Sequence, residues 1–235
     1  MVSPLLGRPS LPRDKLTPDK RKTVLLQLTN NTITFPNMTL SFHEFPSFVA
    51  HHLKKVEGTQ QLELEGIHLQ SNDFTSVAEL ELFIRHVCRW GGYPGIAGRI
   101  FKQNRIESIQ TQFISATNIL SSSIPDVPSA LEAVNHIRQL GSISFATKHL
   151  RFLRPDVCPV LDSLISKNLG YSLIPHGYKQ FSGDCSRIAE ALQMYAVRNP
   201  RNRDNGRWFA ADVEMALFAR LNNWQIMDTV CQETP

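Results

Sequence analysis

The chain has 235 residues, 42% hydrophobic and 20% charged, so it is long enough to bury a substantial core. Its net charge of +4 and isoelectric point of about 9.0 suit a polyanionic partner without requiring one. No run of 18 apolar residues is present, which excludes a membrane-spanning helix, and the four cysteines lack the spacing of a metal site.

The N-terminal part of the chain predicts an arm followed by a short β or irregular segment. Residues 1–22 carry four prolines and six basic residues without periodicity, which is typical of a flexible basic arm. They lack the apolar core of a signal peptide, so we expect an intracellular, cytoplasmic protein. Residues 23–42 are rich in Thr, Leu and β-branched residues around an Asn-Asn break, which predicts a short hairpin or an irregular packing segment.

Helical spacing dominates the rest of the chain, and we treat residues 23–235 as one mainly α-helical domain. Ser76 and Glu79 predict a capping box, and apolar residues follow it at helical spacing. The segment at 91–95, GGYPG, should end that helix. Further helices are predicted at residues 96–101, 106–120, 129–140, 144–154, 183–198 and 207–222.

The order of elements in residues 129–170 is more informative than any single residue. A helix to residue 140 leads to a tight turn at Gly141-Ser142, and a second helix ends at Arg154-Pro155. A short apolar loop then places Asp162 at the start of another helix. The pattern is therefore helix, turn, helix, loop, helix with a leading carboxylate.

These segments resemble the helix-hairpin-helix (HhH-GPD) DNA glycosylase superfamily, and most closely small proteins of the 8-oxoguanine DNA glycosylase (OGG) fold, which include bacterial antiviral glycosylases. QLGSISFATKHLRFL lies where the family has a Leu-Pro-Gly-Val-Gly hairpin, and CPVLDSLISKNLG where it has an aspartate before a helix. FIRHVCRWGGYPGIAGRIFKQN resembles the family's helix, wedge loop and helix. The resemblance implies a two-lobed helical architecture, with the hairpin at 129–154 and the catalytic loop and helix at 155–170.

The resemblance also implies a function. Such an enzyme flips a damaged or modified base from double-stranded DNA and hydrolyses the N-glycosidic bond, which leaves an abasic site. The role would be base-excision repair or defence against phage DNA, with an oxidised purine or a hypermodified cytosine as substrate. We expect a nucleoid-associated monomer that uses no cofactor and no metal. The alternatives are a non-catalytic helix-hairpin-helix DNA-binding module and a helical interaction protein without a nucleic-acid partner.

Two residues are candidates for catalysis. A carboxylate at Asp162 can stabilise the positive charge that develops on the sugar, although Asp-Ser at a helix start also suits a simple N-cap. Bifunctional relatives use a lysine of the helix after the hairpin to form a Schiff base, which makes Lys148 the second candidate. Strict alignment places Ala146, not Lys148, at that position. We therefore predict a monofunctional glycosylase, with lyase activity through Lys148 as the alternative.

Binding residues follow from the same resemblance. A hairpin built from small residues lets backbone N–H groups approach a phosphate. The predicted DNA contacts are Gly141, Ser142 and Ser144 in the hairpin, Arg89, Trp90 and Tyr93 in the wedge loop, and Arg99, Arg151 and Arg203. The predicted base pocket consists of Phe145, His149, Phe152 and Trp208.

Charge placement adds two hypotheses. Basic residues at 85–105, 148–154 and 198–207 are expected to converge on one groove. In the apolar helix around Asp212 and Glu214, one carboxylate is a candidate for a buried group that reads a base edge. Solvent exposure or a structural ion pair is the alternative for both carboxylates.

Overall fold

The computed structural model describes residues 26–29, 31–201 and 203–224, so the basic arm predicted at 1–22 lies outside the described residues. Within them, a small antiparallel sheet precedes ten α-helices, which confirms the predicted fold class. The helices are α1 (Phe45–Lys55), α2 (Thr59–Ser71), α3 (Val77–Trp90), α4 (Pro94–Gln103), α5 (Ile106–Leu120), α6 (Val127–Asn135), α7 (Ile143–Leu153), α8 (Ser163–Leu169), α9 (Pro175–Met194) and α10 (Ala210–Leu221).

The sheet consists of β1 (Gln27–Leu28), β2 (Thr32–Phe35) and β3 (Met38–Ser41), paired in that order. Alternate residues of β2 point to the same face, because successive side chains in a strand point to opposite sides. Ile33 and Phe35 are buried, and Ile33 pairs across the strands with the buried Leu40. Of the two predicted alternatives for this segment, the hairpin is therefore the one that forms, extended by the short strand β1.

The buried apolar side chains from β2 to α10 form one continuous hydrophobic cluster. Helix α10 lies deep in it, packed against α1 and α9, and nine of its twelve residues are buried. Because two of those nine are Asp212 and Glu214, the helix carries two carboxylates into the interior. Each of them then requires a partner or a change of protonation state.

The break between α3 and α4 forms as predicted. The Ser76 hydroxyl accepts a hydrogen bond from the Glu79 backbone N–H, which caps α3. At the other end Gly92 adopts a left-handed conformation with φ of +82°, which a side chain would disfavour. Pro94 is the first residue of α4, where its missing N–H costs nothing.

The hairpin between α6 and α7 differs from its prediction. Helix α6 ends at Asn135, five residues before the predicted end at residue 140, and the turn spans residues 136–142. The left-handed residue in this turn is Gln139, with φ of +78°, and not Gly141. The Asn104 side chain both donates to the backbone C=O of Arg138 and accepts from its N–H, each at 3.0 Å. Because these bonds replace helical ones, the helix stops early and the turn is held against α4.

The last two helices also shift relative to their predicted ranges. Helix α9 starts at Pro175, eight residues before the predicted residue 183, and α10 starts at residue 210 instead of 207. Pro175 suits the first turn of a helix because its φ is already helical. The early start places Tyr178 in the interior, where its hydroxyl donates to the backbone C=O of Pro159 at 3.0 Å. That bond fixes the loop in front of α8.

Candidate active site

A cavity of about 230 Å³ brings together side chains from five parts of the chain. Both predicted catalytic residues, Lys148 and Asp162, line this cavity, which is named the Lys148 cavity. Its lining is formed by His52, Val56, Trp90, Gly91, Tyr93, Ser144, Lys148, Val160, Asp162, Ser163, Glu214 and Phe218. A larger cavity of about 590 Å³ lies beside α9, and its only ionisable lining residues are Asp126 and Lys179.

Lys148 lies almost buried in α7, with 9% of its surface exposed. Its Nζ donates to the Ser144 hydroxyl one helical turn earlier, at 3.0 Å, and lies over the rings of Tyr93 and Phe145. Burial lowers the pKa of Lys148, and the charge of Asp162 opposes that shift without removing it. A lowered pKa raises the fraction of neutral amine, which is the nucleophilic form.

Gly91 allows the loop between α3 and α4 to pack against the side-chain stem of Lys148. A Cβ atom built at Gly91 would lie 2.9 Å from Cδ and 3.3 Å from Cε of Lys148. A side chain there would push the lysine stem away, since real Cβ atoms do not approach so closely. The glycine therefore lets the loop cover the stem and leaves the amine at the end free to face the cavity.

Asp162 has two roles in the structure. It is the N-cap of α8, and its Oδ1 accepts the Ile165 backbone N–H at 3.0 Å. The N-cap interpretation is thus confirmed, and the same carboxylate also lines the Lys148 cavity. The loop before it is held to α7, because Leu161 N–H donates to the Thr147 hydroxyl at 3.3 Å. Capping therefore fixes the direction in which the carboxylate points.

The deepest polar groups of the cavity are His52 and Glu214, each with 2% of its surface exposed. Among the described residues, His52 Nδ1 and Glu214 Oε2 have no hydrogen-bond partner. Burial lowers the pKa of His52 to about 3, and the positive charge of Arg151 adds to this shift. Burial raises the pKa of Glu214 to about 8, against the opposing effect of Arg151. At neutral pH the imidazole is therefore uncharged and the carboxyl is mainly protonated.

Sequence reasoning missed His52 as a site residue and considered Glu214 only as one of two alternatives. A histidine in the amphipathic helix FPSFVAHHLKK carries no local signal that it faces a cavity. Glu214 has a weak local signal, because it stands among the apolar residues Val213, Met215 and Ala216 of a predicted helix.

Aromatic rings form the walls of the cavity. Trp90 is held in place by a hydrogen bond from Nε1 to the Thr59 hydroxyl at 3.0 Å. Phe218 lies on the opposite helix, with its ring centre 5.8 Å from that of His52. Tyr93, at the start of α4, is 55% exposed and meets the Phe145 ring edge-on at 5.2 Å. Tyr93 thus stands at the rim, while Trp90 and Phe218 lie further inside.

None of the four residues predicted for the base pocket lines the cavity. His149, Phe152 and Trp208 are buried in the core and do not line the cavity. His149 Nδ1 is bonded to the Phe145 backbone oxygen at 2.9 Å, and Trp208 Nε1 donates to the Val197 C=O at 2.7 Å. The prediction is wrong for His149 and Phe152 because most of α7 is buried, and it is wrong for Trp208 because that ring is buried before α10. Phe145 does not line the cavity either, although its ring centre lies 5.6 Å from the Lys148 amine.

The predicted phosphate contacts Arg151 and Arg203 are also wrong. Arg151 is fully buried and pairs with Glu63 at 2.8 Å. Arg203 pairs with Asp212 at 2.6 Å, and Arg201 pairs with Glu63 at 2.6 Å. These five side chains form a buried ion network, so Arg151, Arg201 and Arg203 do not contribute to one basic groove. Arg198 and Arg207 are exposed, and their place in such a groove stays a prediction. Arg154, at the edge of the basic group at 148–154, pairs with Asp156 at 2.7 Å.

The remaining predicted DNA contacts lie at the surface. Gly141, Ser142, Arg89 and Arg99 are exposed, and Ser144 is half-buried through its bond to Lys148. Their role in binding DNA stays a prediction.

Within the described ranges, no three His, Cys, Asp or Glu side chains come together in a way that would hold a metal ion. No helix in the described part of the chain has the length and hydropathy needed to cross a membrane. Comparisons of the chain with protein-family models, curated proteins and solved structures find no match.

Proposed function

We propose that the protein is a DNA glycosylase that removes a modified base from double-stranded DNA. The observation that carries this proposal is the meeting of Lys148 and Asp162 in one cavity of about 230 Å³ with aromatic walls. A nearly buried amine with a lowered pKa, next to a fixed carboxylate, is an arrangement suited to attack on a sugar carbon.

The chemistry assigns one role to each residue. The neutral Nζ of Lys148 attacks C1′, and the C1′–N bond breaks with its electron pair on the departing base. The proton that the amine loses is balanced by the proton that the base takes up. The carboxylate of Asp162 stabilises the positive charge that develops on the sugar. The C1′–O4′ bond then breaks, O4′ takes up a proton from solvent, and the nitrogen lone pair forms an iminium between Lys148 and C1′.

This proposal differs from the prediction of a water-using, monofunctional enzyme. That prediction depended on an alignment which placed Ala146 at the position of the family's lysine. Ala146 is fully buried, whereas Lys148 faces the cavity. The turn of the hairpin spans residues 136–142, which is longer than the Leu-Pro-Gly-Val-Gly alignment at 140–144 assumes. For this reason the alignment does not decide which residue takes the lysine position. We therefore favour a lysine nucleophile over an activated water.

The surface beside the cavity suits a duplex. Ser142 begins α7 without a side-chain cap, and Gly141 and Ser142 are exposed, so the first amides of the helix remain available to a phosphate. Tyr93 projects at the rim, where a ring could fill the space that an everted nucleotide leaves in the stack. Arg89 in α3 and Arg99 in α4 are exposed and supply positive charge on the two helices that flank Tyr93.

The experiment is base release from defined duplexes. The protein should be incubated with duplexes that carry 8-oxoguanine and with genomic DNAs of differing base modification, then treated with alkali. Strand breaks, with the released base identified by mass spectrometry, are expected. Salt-sensitive binding without any break from any substrate would contradict the proposal and favour a non-catalytic DNA-binding module.

A further inference from the structure

We infer that His52 and Glu214 form the part of the cavity that reads the polar edge of the everted base, and that this base is uncharged. The inference depends on the proposed glycosylase function and specifies the substrate class of the same site. Neither residue belongs to the pair that performs the bond-breaking step.

The first argument is the missing hydrogen bonds. Buried polar atoms in proteins nearly always have partners, and leaving one without a partner costs about 1–3 kcal/mol. Two such atoms, His52 Nδ1 and Glu214 Oε2, belong to residues that line the same cavity. They come from α1 and α10, which pack directly against each other. A ligand with its own donors and acceptors would remove both deficits at once.

The second argument is the shape of the surroundings. Trp90 and Phe218 offer ring faces, on which a flat heterocycle can stack while its edge reaches the polar floor. The cavity of about 230 Å³ therefore has room for a flat ring system between these two rings.

The third argument is charge. The ionisable groups that face Glu214 from neighbouring elements are His52, Lys148, Arg151, Asp162, Tyr178 and Cys185. Burial outweighs the two cations and raises the pKa of Glu214 to about 8, so its carboxyl is mainly protonated at pH 7. A protonated carboxyl presents an O–H donor beside a C=O acceptor, which matches the adjacent acceptor and donor on the edge of a neutral nucleobase.

Both substrate classes that the resemblance implies, an oxidised purine and a hypermodified cytosine, present an uncharged edge with hydrogen-bond donors and acceptors. The test therefore uses one probe of each class, 8-oxoguanine and glucosylated hydroxymethylcytosine.

The test compares two reactions of the same protein. Duplexes with 8-oxoguanine, with glucosylated hydroxymethylcytosine and with a preformed abasic site are incubated with the wild-type protein and with Glu214→Ala and His52→Ala variants. Base release requires the base to be read, whereas borohydride trapping on the abasic duplex requires only Lys148 and the sugar. We expect each variant to lose base release by about 10- to 100-fold and trapping by less than threefold.

Two further variants sharpen the result. Glu214→Gln restores a donor and an acceptor and should recover most of the loss. The wild-type protein should lose base release above pH 8, as Glu214 ionises, and the Gln variant should not show this decline, since an amide does not titrate. Because the charge of Glu214 raises the pKa of Lys148, the Lys148 titration is followed separately in both proteins by trapping on the abasic duplex across the same pH range. Glu190→Gln, on the exposed side of α9, is the matched control and should behave as wild type.

Several outcomes would overturn the inference. Equal loss of base release and abasic-site trapping would mean that Glu214 and His52 only support the fold. Full base release by both alanine variants would mean that neither residue reads the base. No product from any duplex with the wild-type protein would instead overturn the proposed function, and the inference with it.

Discussion

Two regions that share the same helices treat their buried charges in opposite ways. On α7, Arg151 pairs with Glu63 at 2.8 Å, while Lys148, three residues earlier, has only the neutral Ser144 hydroxyl as hydrogen-bond partner among the described residues. On α10, Asp212 lies in the buried ion network, while Glu214, two residues later, keeps one carboxyl oxygen without a partner.

The two groups of buried residues differ in whether their charges are paired, and this decides their protonation states. In the ion network, burial alone would raise the pKa of Glu63, yet Arg151, Arg201 and Arg203 together lower it to about 2, so the carboxylate stays ionised. In the Lys148 cavity, burial has the largest effect on the pKa values of Lys148 and Glu214 and favours the neutral form of each. Paired groups hold helices together, and unpaired groups retain a capacity for bonding that a substrate can use.

The largest expected effect is from the change Lys148→Met. It keeps an unbranched stem against Gly91 and removes the amine, so borohydride trapping on an abasic duplex should disappear. Stability should stay the same or rise, since the change removes a buried amine whose charged form is disfavoured by burial. Lys167→Met, an exposed lysine in α8, is the control and should trap normally. An adduct of normal yield in Lys148→Met would exclude this lysine as the nucleophile.

The change Asp162→Asn should lower base release by about 100- to 1,000-fold, because the charge that stabilises the sugar cation is lost. Asparagine caps helices as well as aspartate does, so the melting temperature should change little. Asp126→Asn is the matched control. Asp126 caps α6 in the same way, by accepting the Ser129 N–H at 3.3 Å, but it lies outside the Lys148 cavity. If both variants lost the same activity, the effect would be due to capping and not to charge.

The change Glu63→Gln tests the ion network and should reduce the free energy of unfolding by about 3–5 kcal/mol, since three arginines lose a shared partner.

The pKa of Glu63 is about 2 in the folded protein and 4.5 ordinarily. Its stabilising effect is therefore complete above pH 4.5 and is lost as the pH falls towards 2. Denaturant unfolding of both proteins across this range should show their difference shrinking. A difference of less than about 1 kcal/mol at pH 7 would refute the structural role.

The smallest effect is expected for Gly91→Ala. The new methyl would displace the Lys148 stem, and we expect trapping to slow by about three- to tenfold, which corresponds to about 1 kcal/mol. Gly95→Ala is the control, because nothing lies within 4 Å of a Cβ at that position. Equal rates for the two variants would show that the lysine stem adjusts freely.

The sequence was sufficient to predict the fold class and most of the helices, because these depend on local patterns. The resemblance singled out Lys148 and Asp162, which line one cavity, and their role in a reaction stays a prediction. Ser76, Pro94 and Asp162 mark helix starts through their own side chains, and each does so in the structure. The end of α6 was not predictable, since it depends on Asn104, more than thirty residues earlier in the chain. His52 and Arg151 acquire their roles only through packing between α1, α2, α7 and α10, which no local pattern encodes.

The central claim is that Lys148 is the nucleophile, with Asp162 beside it. It is tested most directly by reducing the protein with borohydride on an abasic duplex, digesting the product and locating the linked residue by mass spectrometry. The account predicts a single modified peptide that contains residues 143–153, with the deoxyribose remnant on Lys148. Attachment to any other residue, or the absence of an adduct while base release proceeds, would contradict it.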